Sequence, residues 1–195
     1  MPEKDLKHSV RSEKLAERRA HIVETAAALF IEKGFHQTGM RDIAGRAGIS
    51  LGNLYNHFKG KGDIIVAIAD VEAEELEPLL RPLEAAGKAD PDLLSDFVER
   101  YFQLTSSPAY AALSAEIIAE LFRNPVVAVS FEASRMRLIA AVSSCLPDAL
   151  GEAEAELVIS LVESAGLNAV GKKGQDKDIM LQALLGFVER AVKVA

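Results

Sequence analysis

"TGMRDIAGRAGISLGNLYNHFKGKGDII" runs from Thr38 to Ile65, and its punctuation decides the fold. Gly39 stands at an N-cap position, with Asp42 three residues on, where a carboxylate meets the positive end of a helix. A short helix is predicted from about Met40 to Ala47, with Ile43, Ala44 and Ala47 as its apolar side. Gly48 breaks it, because the turn there takes positive φ. Ser50 caps a third helix anchored by Leu54 and Phe58. Gly60 then precedes a long fourth helix starting near Lys61, with Asp63 in its first turn.

Two short helices joined by a glycine turn, with small Ala44 at the close approach, have helix-turn-helix geometry. The second helix of such a pair enters the major groove of DNA. The third helix suits that task. It is too polar for core and too regular for a loop. The amides of Asn53 and Asn56 can both donate to and accept from base edges, with Asn53 the principal candidate. Leu51 can meet a thymine methyl. Gly52 leaves the helix surface flat, so the backbone can approach DNA closely. Thr38, Met40 and Arg41 begin the second helix, where Arg41 reaches phosphate or a guanine edge. Lys61 grips phosphate from a helix start, where free N–H groups add to its charge.

Upstream, a helix is predicted over about Glu13–Lys33. Ile22, Ala26, Leu29 and Phe30 share one of its faces. Gly34 is its C-terminal cap, and Phe35 folds back on the last turn. Residues up to Ser12, with Lys4, Lys7 and Arg11, are expected as a mobile basic arm that adds contacts.

The ordered set Thr38, Ile43, Ala44, Ala47, Gly48, Ser50, Gly52, Leu54, Tyr55, His57, Phe58 and Lys61, with Phe30, Gly34 and Phe35 upstream, resembles the DNA-binding signature of the TetR family of bacterial transcriptional regulators. Ile49 and Ile64 replace a commoner valine and leucine. Gly39 stands where serine or threonine usually caps. Leu51 stands where a polar or basic residue is common. The resemblance implies that Tyr55 and His57 are a phosphate-contacting pair. It also implies a dimer on a palindromic operator, and a small-molecule effector bound by the helical remainder of the chain.

That remainder is predicted to be helical throughout, giving nine helices in an all-α chain. Pro78, Pro82 and Gly87 are expected to end helix four. Pro91, Pro108 and Pro125 stand at first helical positions behind Asp90, Ser107 and Asn124. Helices follow near 91–105, 108–122, 125–146 and 150–170. "GKKGQDKD" then reads as a polar turn before a last helix from Asp178. The domains expected are 1–62, arm and helix-turn-helix, and 63–195, effector binding and dimerisation. Residues 1–62 carry 11 Lys+Arg against 7 Asp+Glu, a net of +4; the rest carry 11 against 22, a net of −11. One basic end on an acidic body suits a chain that touches a polyanion at one end only.

In the last helix, Met180, Leu184, Phe187, Ala191 and Val194 make one apolar stripe, and Leu181, Leu185, Val188 and Val192 a second. A monomer's surface helix needs one, so the second is assigned to the dimer. Leu157, Leu161, Ala165 and Ala169 on the preceding helix join it, and the resemblance places the dimer in a four-helix bundle of these two helices. Tyr101, Phe102, Tyr110, Phe122, Phe131 and Met136 are expected to line an apolar effector pocket, anchored by Glu116, Glu120 or Asn168. The acidic body favours a cationic or neutral ligand over an anion.

Other classes find little support. The four histidines, at 8, 21, 36 and 57, lack metal-ligand spacing, so no metal or cofactor is expected. Residues 63–195 hold no histidine, no Ser-His-Asp set and no phosphate loop, so an enzyme is not expected. Cys145, the only cysteine, sits in an apolar helical context and reads as core. No apolar run approaches the ~20 residues that span a bilayer, and the first residues, "MPEKDLKHSVRSEK", are polar without a hydrophobic signal core, so a cytoplasmic location is expected. The expected function is a dimeric repressor released from its operator by a small molecule. The alternative is a DNA-bound adaptor or activator whose body binds a protein partner.

Overall fold

A computed structural model describes the backbone of residues 2–86 and 89–194, and the side chains of residues 13–86 and 89–193. The described residues form nine helices and no strand: α1 Pro2–Lys33, α2 Met40–Arg46, α3 Leu51–His57, α4 Lys61–Ala86, α5 Pro91–Thr105, α6 Pro108–Leu121, α7 Pro125–Ser143, α8 Glu152–Ala169 and α9 Gly174–Val194.

Some boundaries differ from expectation. α1 begins at Pro2, so the expected arm is the start of a helix; the side chains of Lys4, Lys7 and Arg11 lie outside the described residues. α4 runs through Pro78 and Pro82, and Gly87, expected to help end it, lies outside the described residues. α9 starts at Gly174, so half of the expected polar turn is its first turn. The proline-led starts hold: Asp90 Oδ1 accepts from Leu93 N at 3.1 Å, and Ser107 Oγ from Tyr110 N at 3.2 Å.

The chain falls into two compact units. The first comprises residues 1–71 and 116–128, the second 72–115 and 129–195. The first therefore takes in the end of α6 and the start of α7, which charge and motif assign to the remainder.

The first unit packs around Ile22, Ala26, Leu29 and Phe30 of α1, Ile43 and Ala44 of α2, Leu54 of α3 and Ile64 and Ile65 of α4, all buried. Burying a side chain of this size contributes roughly 1.5–3 kcal/mol. Phe35 closes against Phe30 edge-to-face, with ring centres 5.0 Å apart. Gly34 sits at φ +82 and Gly48 at φ +68, where a Cβ would be strained. At the second of these turns Ile49 N donates to Ala44 O at 3.0 Å, a wrap that lets α3 leave at a sharp angle.

The second unit is built on α5. Leu94, Phe97, Val98, Tyr101, Phe102 and Thr105 recur at helical spacing and are all buried. They pack with Ile159 and Val162 of α8 and Leu181, Leu184, Val188 and Val192 of α9. Gly166 is required where α8 meets α5: a Cβ there would lie 2.0 Å from Thr105 Oγ1. Cys145 is buried as expected, and burial raises its thiol pKa.

Candidate functional site

α3 is anchored from below and open above. Leu54 and Phe58 are fully buried. Ser50 Oγ accepts from Asn53 N at 3.2 Å, which fixes the first turn. Arg19 of α1 secures the other end: its guanidinium lies 4.2 Å from the Phe58 ring centre and donates to His57 O at 3.2 Å. What remains on the surface is Ser50, Gly52, Tyr55 and Asn56, all exposed, with Leu51, Asn53 and His57 half-buried. No heavy atom stands within 4 Å of where a Gly52 Cβ would be. The glycine is thus not demanded by packing within the chain.

α2 adds exposed Arg41 and half-buried Met40 beside this face. Its start is held by Asp42 Oδ2, which accepts from Gly39 N at 2.8 Å. The glycine cap works through this carboxylate rather than through a side chain of its own.

Two expected contacts are already committed inside the fold. Thr38 is 1% exposed, and its hydroxyl donates to Leu29 O at 3.2 Å and Gly34 O at 2.9 Å. It locks the α1–α2 turn and is corrected from a DNA contact to a structural residue. Lys61 Nζ donates to Phe35 O at 2.5 Å and stands 4.3 Å from the centre of that ring. Partial burial lowers its pKa, opposed by Glu120. Its first task is to hold the turn, and only its remaining donors are left for phosphate.

The expected effector residues scatter. Tyr101 and Phe102 are core of the second unit, and Tyr110 and Phe131 are half-buried. Phe122 is 88% exposed and Met136 51%, so neither lines an interior in this chain. Asn168 is exposed and its amide donates to Ser164 O. Glu116 and Glu120 belong to the first unit. Glu116 Oε2 accepts from Phe35 N at 2.7 Å, and buried Glu120 lies 3.1 Å from His36 Nε2. Phe122, Met136, Asn168, Glu116 and Glu120 are therefore corrected as pocket residues.

Two carboxylates that composition does not single out stand near Tyr101 and Tyr110. Glu163 of α8 accepts from Tyr101 Oη and from Arg135 Nη1, each at 2.7 Å. Glu72 of α4 has a carboxylate oxygen buried without a hydrogen-bond partner. Burial, helped by nearby Glu75, pushes its pKa up to about 7. Tyr110 is near enough to Glu72 for its own pKa to be raised, first by burial and then by that charge.

The expected dimer residues divide. Ala169, Leu181, Val188 and Val192 are buried within the chain itself and are corrected to core. Ala165 and Leu185 are half-buried. Leu157 is 69% exposed and Leu161 37%, alongside Ile179 at 61% and Phe187 at 56% on α9. On α9 the open large apolar side chains among the described residues are Ile179 and Phe187, while Leu184, of the same expected stripe as Phe187, is buried; the side chain of Val194 lies outside the described residues.

A glycine-turned helix pair whose second helix presents amides and a bare backbone defines a helix-turn-helix DNA-binding protein. The sequence profile of bacterial regulatory proteins of the tetR family matches residues 22–68. The HTH-type transcriptional regulator UidR of Escherichia coli (strain K12) is 33% identical over 138 residues, 70% of this chain and 68% of that one. The HTH-type transcriptional repressor KstR2 of Rhodococcus jostii (strain RHA1) is 31% identical over 108 residues, 55% of this chain and 53% of that one. Among solved structures, Salmonella enterica GusR is 26% identical and covers 89% of this chain and 96% of its own, with a TM-score of 0.68. The chain belongs to the TetR family of bacterial transcriptional regulators. No helix among the described residues is long and apolar enough to cross a membrane.

Proposed function

We propose that this regulator is a dimeric repressor that reads a palindromic operator through α3 and leaves it when its body binds a small molecule. The open face of α3 carries the reading: Gly52, Asn53, Tyr55 and Asn56 point away from a helix whose other side is fully buried. Asn53 is assigned a base edge; Tyr55, His57 and Arg41 are assigned phosphate, with Lys61 adding charge behind them. Leu51 meets a thymine methyl or the scaffold edge.

Dimerisation is supported by Leu157 and Leu161 on α8 and Ile179 and Phe187 on α9, large apolar side chains that the chain leaves in water. A two-fold pair matches half-sites one or more helical turns apart. Release by a ligand requires that the ligand prefer the form that binds DNA less well. α6 offers a lever. It carries Tyr110 and Ser114 in one unit, and Glu116, which holds the α1–α2 turn, in the other. The repressor sense follows the relative KstR2, so it stands or falls with operator position.

The test is capture of bound DNA fragments from a whole genome, with the mass of the chain measured in solution. Recurrent inverted half-sites overlapping promoters and a dimer at micromolar concentration are expected. A stable monomer, or fragments without a shared palindrome, would overturn the proposal.

A further inference from the structure

We infer that the ligand of the body is an organic cation, seated against the buried Glu72 carboxylate and the tyrosines Tyr110 and Tyr101. The inference rests on the reading above that the body binds a small molecule, and it assigns that molecule's charge.

Two carboxylates near these tyrosines, Glu163 and Glu72, are treated differently. Glu163 is fully provided for: Tyr101 donates to it, Arg135 donates to it, and Arg135 also reaches Ser160 Oγ at 3.3 Å. Glu72 Oε1 is cut off from water and receives no hydrogen bond. A buried carboxylate without a partner is costly, and chains normally pair it or leave it protonated. The groups that act on Glu72 offer no compensation. Glu75, on its own helix, repels it. Tyr110 of α6 couples to it and lies beside Ser114, also of α6, and Tyr101 of α5. Beyond Tyr101 stand Glu163 of α8 and Arg135 of α7, and Arg135 is spent on Glu163.

What is missing is a positive charge. Burial raises both tyrosine pKa values, so the rings stay neutral phenols, and an aromatic face attracts a cation. A protonated amine or a quaternary ammonium supplies the charge Glu72 lacks and gains the ring faces with it. An anion would add a third negative group to Glu72 and Glu163. A neutral molecule of the same shape would leave Glu72 as it is.

The test uses three probes of similar size on the full chain: benzyltrimethylammonium, benzyl alcohol and benzoate. Their affinities are measured by calorimetry in two buffers of different ionisation enthalpy near pH 7. The expected result is that the cation binds about tenfold or more tighter than the alcohol and releases protons on binding, because it draws Glu72 to its ionised form. Glu72→Gln is expected to remove that advantage and the proton release, and to melt no lower than the parent chain at pH 8, since it deletes an unpaired buried charge. Should the variant fail to fold, the proton release of the parent chain decides alone. Equal or tighter binding of the alcohol or benzoate, or cation binding that Glu72→Gln leaves unchanged, overturns the charge assignment and leaves ligand sensing intact. A chain to which none of the three binds, nor any member of a mixed-charge compound set, overturns ligand sensing along with it.

Discussion

The α3 face and the Glu72 cluster are both polar sites built on apolar scaffolds, and they are opposites. The α3 groups lie within eight consecutive residues, Ser50 to His57, and are open or partly open to water. The cluster draws Glu72, Tyr101, Tyr110, Arg135 and Glu163 from five different helices, α4 to α8, and buries Tyr101 and one Glu72 oxygen among partly covered neighbours. One site waits for a polyanion with its hydrogen-bonding groups already solvated. The other holds a carboxylate oxygen without a hydrogen-bond partner, whose burial raises the pKa of its group. An exposed site can be altered with little effect on stability and a large effect on binding. A buried one cannot be altered without moving both.

Four substitutions press on that contrast. The largest effect belongs to the scaffold under α3. Phe58→Ala removes a fully buried ring and the surface on which Arg19 rests, and is expected to destabilise by roughly 3–5 kcal/mol in chemical denaturation, with DNA binding lost. A loss below 1 kcal/mol would mean that α3 is not anchored from beneath.

Next comes the pH dependence of Glu72. Its folded pKa of about 7 lies above its ordinary value of 4.5, so the folded chain holds the proton more tightly than the unfolded one. Stability from this group is therefore complete below pH 4.5 and falls as pH rises through 7, by at most about 3 kcal/mol. The difference between parent and Glu72→Gln melting curves between pH 4.5 and 8 isolates it. A flat difference would show the carboxylate to be solvated.

Thr38→Val tests the reassigned residue. The hydroxyl donates to two backbone carbonyls, so its loss is expected to cost about 1–2 kcal/mol of stability while base preference stays unchanged. Altered base preference at full stability would return Thr38 to the DNA contacts.

Smallest in stability is Gly52→Ala. The position is exposed with open space beyond it, and a helical Gly→Ala change is expected to stabilise the free chain by up to about 1 kcal/mol. Operator affinity should fall at the same time if the proposed close approach of DNA to this bare backbone holds. Unchanged affinity would remove the close-approach role of this glycine.

The same contrast explains what could be read from the chain alone. The helix-turn-helix, its glycine turns and the Ser50 cap were legible because every determinant is local. The all-helical architecture was legible from proline-led starts and helical spacing. Thr38 was misjudged because it stands at the mouth of α2 in sequence, while its hydroxyl turns back to Leu29. Periodicity found both apolar stripes of α9 but not which one faces its own core. The core-facing side cuts across both stripes: it takes Leu181, Leu184, Val188 and Val192 and leaves Phe187 open, which depends on where α5 and α8 lie. Glu72 gave no signal because it sits in "DVEAEELEP", among glutamates that face water. Only its buried oxygen, near Tyr110 of α6, singles it out. Glu116 and Glu120 looked like pocket anchors for the same reason: no pattern along α6 says that its last turns belong with the first unit.

The most direct measurement is the affinity of Asn53→Ala for its operator and for random DNA of equal length and at equal salt. The loss expected on the operator is about 10–100-fold, traced to one base position, with random DNA held within about twofold. Equal losses on both would contradict base reading by α3 and leave its open face with a phosphate-binding role alone.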